Sequence, residues 1–135
     1  MVGTKDPRAG RALSYLQDHY SGLVSFNQLA SSLNISPSRL RALIKAQTGI
    51  TATRYIKLVR LQKAQQLLQS TFMSVKEIVF EVGLNDQSHF IRDFKRVFGM
   101  SPGRFRRTVH QQEVELIQST LEVHHIYALP KIQRP

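Results

Sequence analysis

Apolar positions recur at threes and fours along almost the whole chain, and that spacing predicts helices. Leu13, Leu16 and Tyr20 set the first period, in a segment running from Pro7 to Tyr20. Phe26, Leu29, Ala30 and Leu33 share one face of a short segment headed by Ser25, whose hydroxyl can cap the first turn. In "SPSRLRALIKAQTG", Ser36 is placed as N-cap, Pro37 takes the first helical position and Gly49 ends the helix. The longest periodic run, Thr51 to about Gln69, repeats Tyr55, Leu58, Leu61, Ala64 and Leu68. "SVKEIVFEV" opens on Ser74 with Glu77 three positions on, a capping box. "NDQSHFIRDFKRVFG" carries Phe90, Phe94, Val97 and Phe98 and stops at Gly99, after which Ser101 and Pro102 begin a last helix. No alternating pattern competes with these segments. The predicted fold class is all-α, with about seven helices.

Two phrases in this pattern say the same thing. "TGITATRY" and "FGMSPGRF" each give a turn glycine, an apolar residue, a hydroxyl, two small residues, an arginine and an aromatic ring. At an offset of about 50, Leu40, Ile44, Lys45, Gly49, Arg54 and Tyr55 match Phe90, Phe94, Lys95, Gly99, Arg104 and Phe105. Upstream the offset becomes about 49, so that Phe26, Leu29, Ala30, Leu33, Ile35 and Ser36 match Val75, Ile78, Val79, Val82, Leu84 and Asn85. Each copy is a short helix, a turn and a longer helix ended by glycine, the outline of a helix-turn-helix. Two plain hairpins of a bundle would share that outline. On a helical wheel, Leu40, Ile44 and Gln47 point inward in the first copy, and Phe90, Phe94 and Val97 in the second. Ser38, Arg41, Ala42 and Lys45 then face outward, as do Ser88, Arg92 and Lys95, with Arg39, Ala46, His89 and Arg96 flanking. A merely solvated face would interleave both signs of charge. Here the only acids are Asp86, in the first turn, and Asp93, on the inner side.

Charge strengthens this picture. Lys and Arg number 19 against 9 Asp and Glu, for a net +10. Before His110 stand 17 basic and 6 acidic residues, and from His110 onward 2 and 3. The excess belongs to the first part of the chain, which points to a polyanionic partner, although a soluble basic surface alone would also carry it. Cysteine is absent, which removes disulfides, a thiol nucleophile and a zinc finger. No Gly-rich phosphate loop, Gly-x-Ser-x-Gly turn or paired-carboxylate constellation is present, so neither an enzyme nor a cofactor is expected. His124 and His125 read as surface histidines rather than metal ligands, and no metal is expected. No run has the apolar core of a signal peptide or the length of a membrane span. No membrane association is expected, and a cytoplasmic protein is.

With those residues in view, the chain resembles the AraC/XylS family of bacterial transcription regulators. "ISPSRLRALIKAQTGITATRYIKLVRLQKAQQLL" is similar to the family's first helix-turn-helix and linking helix, and "VKEIVFEVGLNDQSHFIRDFKRVFGMSPGRFRR" to its second half. The resemblance implies two helix-turn-helix units in adjacent major grooves of double-stranded DNA, near the nucleoid, controlling transcription with RNA polymerase as partner. Carried over by position, base reading falls on Ser38, Arg39, Arg41 and Ala42, and on Gln87, Ser88, His89, Ile91 and Arg92. Lys45, Lys95 and Arg96 suit phosphates, while Arg54 and Arg104 are either phosphate or structural contacts. Ala42 departs from family members with a long polar residue there, which leaves a thymine methyl as a contact open to it, and Ile91 either does likewise or simply packs. A nonspecific DNA-coating or helical protein-interaction module is the alternative. The expected layout is a linker-like end over 1–9, a DNA-binding domain over 10–109 and a tail over 110–135. Within the domain the first unit covers about 25–49, the linker helix about 51–69, the second unit about 74–99, and a final helix starts at 101. The chain is expected to be either a stand-alone regulator or the C-terminal piece of a longer one whose separate effector-binding or dimerisation domain lies outside it. In the tail Val114, Ile117 and Leu121 share one helical face, followed by Ile126, Tyr127 and Leu129, and it either packs back, frays or offers a partner surface.

Overall fold

Capping chemistry sets where each helix begins and ends. The computed structural model describes residues 6–125, with side chains through Leu121. These form α1 (Pro7–Asp18), α2 (Phe26–Ser32), α3 (Pro37–Thr48), α4 (Ala52–Ser70), α5 (Val75–Glu81), α6 (Gln87–Phe98) and α7 (Pro102–His125). Among the described residues there is no strand. The hydroxyls of Ser25, Ser36, Thr51 and Ser74 accept from the backbone N–H groups of Gln28, Arg39, Arg54 and Glu77. Glu77 returns the bond to Ser74, completing the predicted box. Ser101 accepts from the Arg104 N–H at 3.3 Å. Gly49 and Gly99 end α3 and α6 with φ of 80° and 81°, a region where a side chain would be strained. Replacing Ser36 by alanine frees an N–H that α3 cannot satisfy internally. It is expected to cost about 1 kcal/mol in a denaturant titration.

The two terminal helices differ in how they are held. Asp6 caps α1 and pairs with Arg8 at 2.8 Å, and the Arg8 hydrogen bond holds its carboxyl down to about 2. With Ala9 buried, α1 starts at Pro7, where the helical spacing placed it. At the other end, α7 runs unbroken from Pro102 to His125, into the stretch set apart as a tail. Everything from His110 to Leu121 is exposed, including Val114, Leu116, Ile117 and Leu121, so this stretch does not pack back on the domain. The side chains of His124 and His125, and all of Ile126, Tyr127 and Leu129, lie outside the described residues.

The duplication is measurable. α2 and α5 have 7 residues each, and α3 and α6 have 12 each. The turns match as well, with Ile35 N–H donating to Ala30 O at 3.1 Å and Leu84 N–H to Val79 O at 2.9 Å. Ser36 caps α3, whereas Asp86, not Asn85, caps α6. The added residue of the second copy is thus Asn85, which corrects the pairing of Ser36 with Asn85.

Each copy has its own core, and α4 serves both. Leu16, Leu29, Ala30, Leu40 and Ile44 pack with Ala52 and Ile56 from the first turns of α4. Leu61, Ala64 and Leu68 from its later turns pack with Ile78, Val79, Val82, Phe90 and Phe94. Phe94 is central, its ring 4.5 Å from Phe98 and 5.7 Å from both Phe90 and Phe105. Two residues expected to face inward do not. Gln47 is exposed and Val97 is 43% exposed. Both lie in the last turn, where most of the surface of α3 and α6 is open. A wheel counts angle but not where a helix outruns the layer beneath it.

Candidate nucleic-acid interface

Burying Leu40, Leu43 and Ile44 fixes which side of α3 is left outside. Ser38, Arg39, Arg41, Ala42 and Lys45 are all exposed on it. In α6, the burial of Phe90 and Phe94 does the same for Gln87, Ser88, His89, Arg92, Lys95 and Arg96. Ile91 is 36% exposed. Arg54 and Arg104 are exposed in the first turns of α4 and α7.

The structure brings part of the first set together. Arg41, Ala42 and Lys45 line a shallow hollow of about 370 Å³ with Thr51, Ala52 and Thr53 from the start of α4. The N-terminus of α4 presents unpaired N–H groups and the positive end of its dipole, so two cations and a helix start converge there. A phosphate-sized anion finds favourable charge from both.

The acids of α6 and its cap have partners close by. Asp86 caps α6, accepting from the His89 N–H at 3.0 Å, and its second oxygen lies 3.4 Å from His89 Nδ1. That backbone hydrogen bond is the main cause holding its carboxyl below the usual range. Asp93, with a side chain 14% exposed, lies 2.7 Å from Lys57 Nζ of α4 and 3.9 Å from Arg96. Arg96 is therefore shared between an acid and solvent. Among the described residues Arg41, Lys45, Arg92 and Lys95 form no ion pair. Arg41 instead rests on the Phe26 ring, its guanidinium carbon 4.4 Å from the centroid.

Sequence reasoning missed the Lys57–Asp93 bridge between α4 and α6. No local signal announces it, although the inward angle of Asp93 on its wheel demands a cation somewhere opposite. It also missed Arg60, which donates from Nε to Tyr20 O at 2.7 Å and from Nη2 to Gly22 O at 3.1 Å. Among the described residues no three His, Asp or Glu side chains gather as metal ligands, and no helix is long and apolar enough to cross a membrane.

Two helix-turn-helix units on one shared helix, each with an exposed basic second helix, define a double helix-turn-helix domain. A family model described as a helix-turn-helix domain matches residues 29–108. Over 102 residues the chain is 36% identical to the HTH-type transcriptional activator RhaS of Klebsiella pneumoniae (strain 342), covering 76% of this chain and 37% of that protein. It thus spans little more than a third of that relative's length. Among solved structures, it is similar to the C-terminal domain of AraT, a response regulator from Geobacillus stearothermophilus. That match has a TM-score of 0.69 at 36% identity and covers 78% of this chain and 88% of that one. A transcriptional regulator from Chromobacterium violaceum, of the proteins containing an AraC-type DNA-binding domain, matches with a TM-score of 0.73 at 27% identity. It covers 78% of this chain and 94% of that one. The chain belongs to the AraC family of transcription regulators, as its helix-turn-helix DNA-binding domain. The part of the relatives that it matches is their helix-turn-helix domain.

Proposed function

We propose that α3 and α6 enter two adjacent major grooves of one duplex and read different base pairs in each. One observation carries this reading. Two helices of equal length, each with an exposed basic face, are mounted on opposite halves of a single 19-residue helix. That helix is about 28 Å long at 1.5 Å per residue. Adjacent major-groove faces lie about 34 Å apart. The span and its flanking turns match that distance.

Within this reading, Arg41 and Arg92 donate to guanine edges, helped by Ser38, Arg39, Gln87, Ser88 and His89, while Ala42 and Ile91 touch thymine methyls. Lys45, Lys95 and Arg96, with Arg54 and Arg104 at helix starts, bind phosphates. The two faces differ residue by residue, so the target is not a simple palindrome. RNA polymerase at a bacterial promoter, and a separate effector-binding or dimerisation domain, are the partners this reading adds, in the cytoplasm.

Selection of bound sites from random DNA identifies the target. Salt dependence then separates the roles. Removing one cation from a phosphate flattens the slope of log affinity against log salt by about 0.9, so Lys45→Ala with Lys95→Ala should flatten it by about 1.8. All sequences should weaken alike. A double variant that keeps the parent slope removes these lysines from the phosphate set. Selection that enriches no sequence favours a nonspecific coating module instead.

A further inference from the structure

By sequence the segment between α1 and α2 belongs to the first unit, yet its middle, Tyr20–Gly22, meets the second. Leu16 before it and Val24 after it pack in the first core. Between them Tyr20 packs against the second core, with the Lys63 ammonium 5.8 Å above its ring. Arg60 of α4 holds the Tyr20 and Gly22 carbonyls. From the other side the α5–α6 turn presses on the same loop. A Cβ added to Gly83 would run into the Ser21 carbonyl oxygen and stand 2.9 Å from the carbonyl carbon and 3.0 Å from Cα.

The duplication supplies an internal control. Asn34 occupies the matching place in the first turn with φ 58°, and Gly83 has φ 83°. Left-handed backbone is therefore met by asparagine where space is open, since Asn tolerates that region better than most residues. What Gly83 provides beyond conformation is room for the loop. A unit packed only on its own half of α4 can rock on that helix. A second connection restrains the rocking.

We propose that Tyr20–Gly22 is a strut between the two units, running beside α4, with Gly83 and Arg60 as the positioning residues that set the angle between α3 and α6. It follows that they set how strictly the DNA halves must be spaced, a consequence that rests on both units engaging one duplex. One base pair displaces the second half by about 3.4 Å and turns it by about 35°.

The test uses Gly83→Asn, which keeps a residue at ease in the left-handed region but fills the space, and Arg60→Met, which keeps a long stem but removes both donors. Asn34→Gly is the control. The chain has no cysteine, so Gln28→Cys in α2 and Lys76→Cys in α5, both exposed, accept spin labels cleanly. Double electron–electron resonance on the DNA-free protein should give one narrow distance for the parent and for Asn34→Gly. It should give a broadened or displaced one for Gly83→Asn and Arg60→Met, with circular dichroism melts confirming that each variant is folded. If Gly83→Asn does not fold, Arg60→Met decides alone. Folded variants that keep the parent distribution overturn the strut. A second arm compares the selected DNA with the same site carrying one inserted base pair. The parent should prefer the native spacing by roughly tenfold or more, equivalent to about 1.4 kcal/mol. Arg60→Met should shrink that preference severalfold. Labels that spread without any loss of spacing preference also overturn the proposal. A parent indifferent to spacing contradicts the two-groove reading instead, and the label distances still decide the strut.

Discussion

Phe94→Ala is expected to cost about 3–5 kcal/mol of folding stability, the upper end of what truncating one core side chain does. The side chain is 0% exposed and its ring meets three other phenyl rings, so alanine leaves a cavity that neighbouring aromatics cannot fill. A domain of this size has about 5–15 kcal/mol in total, so a large fraction disappears. The destabilisation should be uneven. Leu40 and Ile44 belong to the other core, which Phe94 does not touch. Hydrogen exchange should therefore rise in α5, α6 and the start of α7 well before it rises in α1 to α3. Equal acceleration throughout would mean that the two cores unfold as one unit.

Arg92→Ala should weaken binding to the selected DNA by about 1–3 kcal/mol, and relax the preference at one base pair while leaving the others ranked as before. Arg41→Ala should act in the same way at a base pair in the other half, but more weakly. Arg41 must first leave the Phe26 ring, an interaction worth about 0.5–1 kcal/mol at an exposed site, and giving it up offsets part of the gain from a base. Arg92 has no ring contact of this kind among the described residues. Affinity measured on a panel of single-base variants checks both. If the order of sequences is unchanged in either variant, that arginine does not read a base.

How far the fold could be read from residue order depends on the kind of interaction. Caps are local, and Ser25, Ser36, Gly49, Ser74 and Gly99 mark ends within three or four residues of the groups they satisfy. Core faces follow from periodicity, which placed Leu40, Ile44, Phe90 and Phe94 inside. Periodicity failed at Gln47 and Val97, because angle on a wheel does not show where the supporting layer ends. Exposure of the basic faces followed once the cores were placed. Contacts between distant helices were not legible. Nothing near Arg60 in the sequence indicates that it grips the Tyr20 and Gly22 carbonyls, and nothing near Gly83 that Ser21 lies against it. The helical face of Val114, Ile117 and Leu121 was legible too, but not that one unbroken helix carries it, exposed, from Pro102.

The most direct measurement is hydroxyl-radical footprinting of the intact chain on a site obtained by selection. Two reading helices held on one rigid helix should leave two protected patches on the same side of the duplex, about 10 base pairs apart from centre to centre. One short patch, or two patches on opposite sides, would mean that α3 and α6 do not occupy neighbouring grooves together.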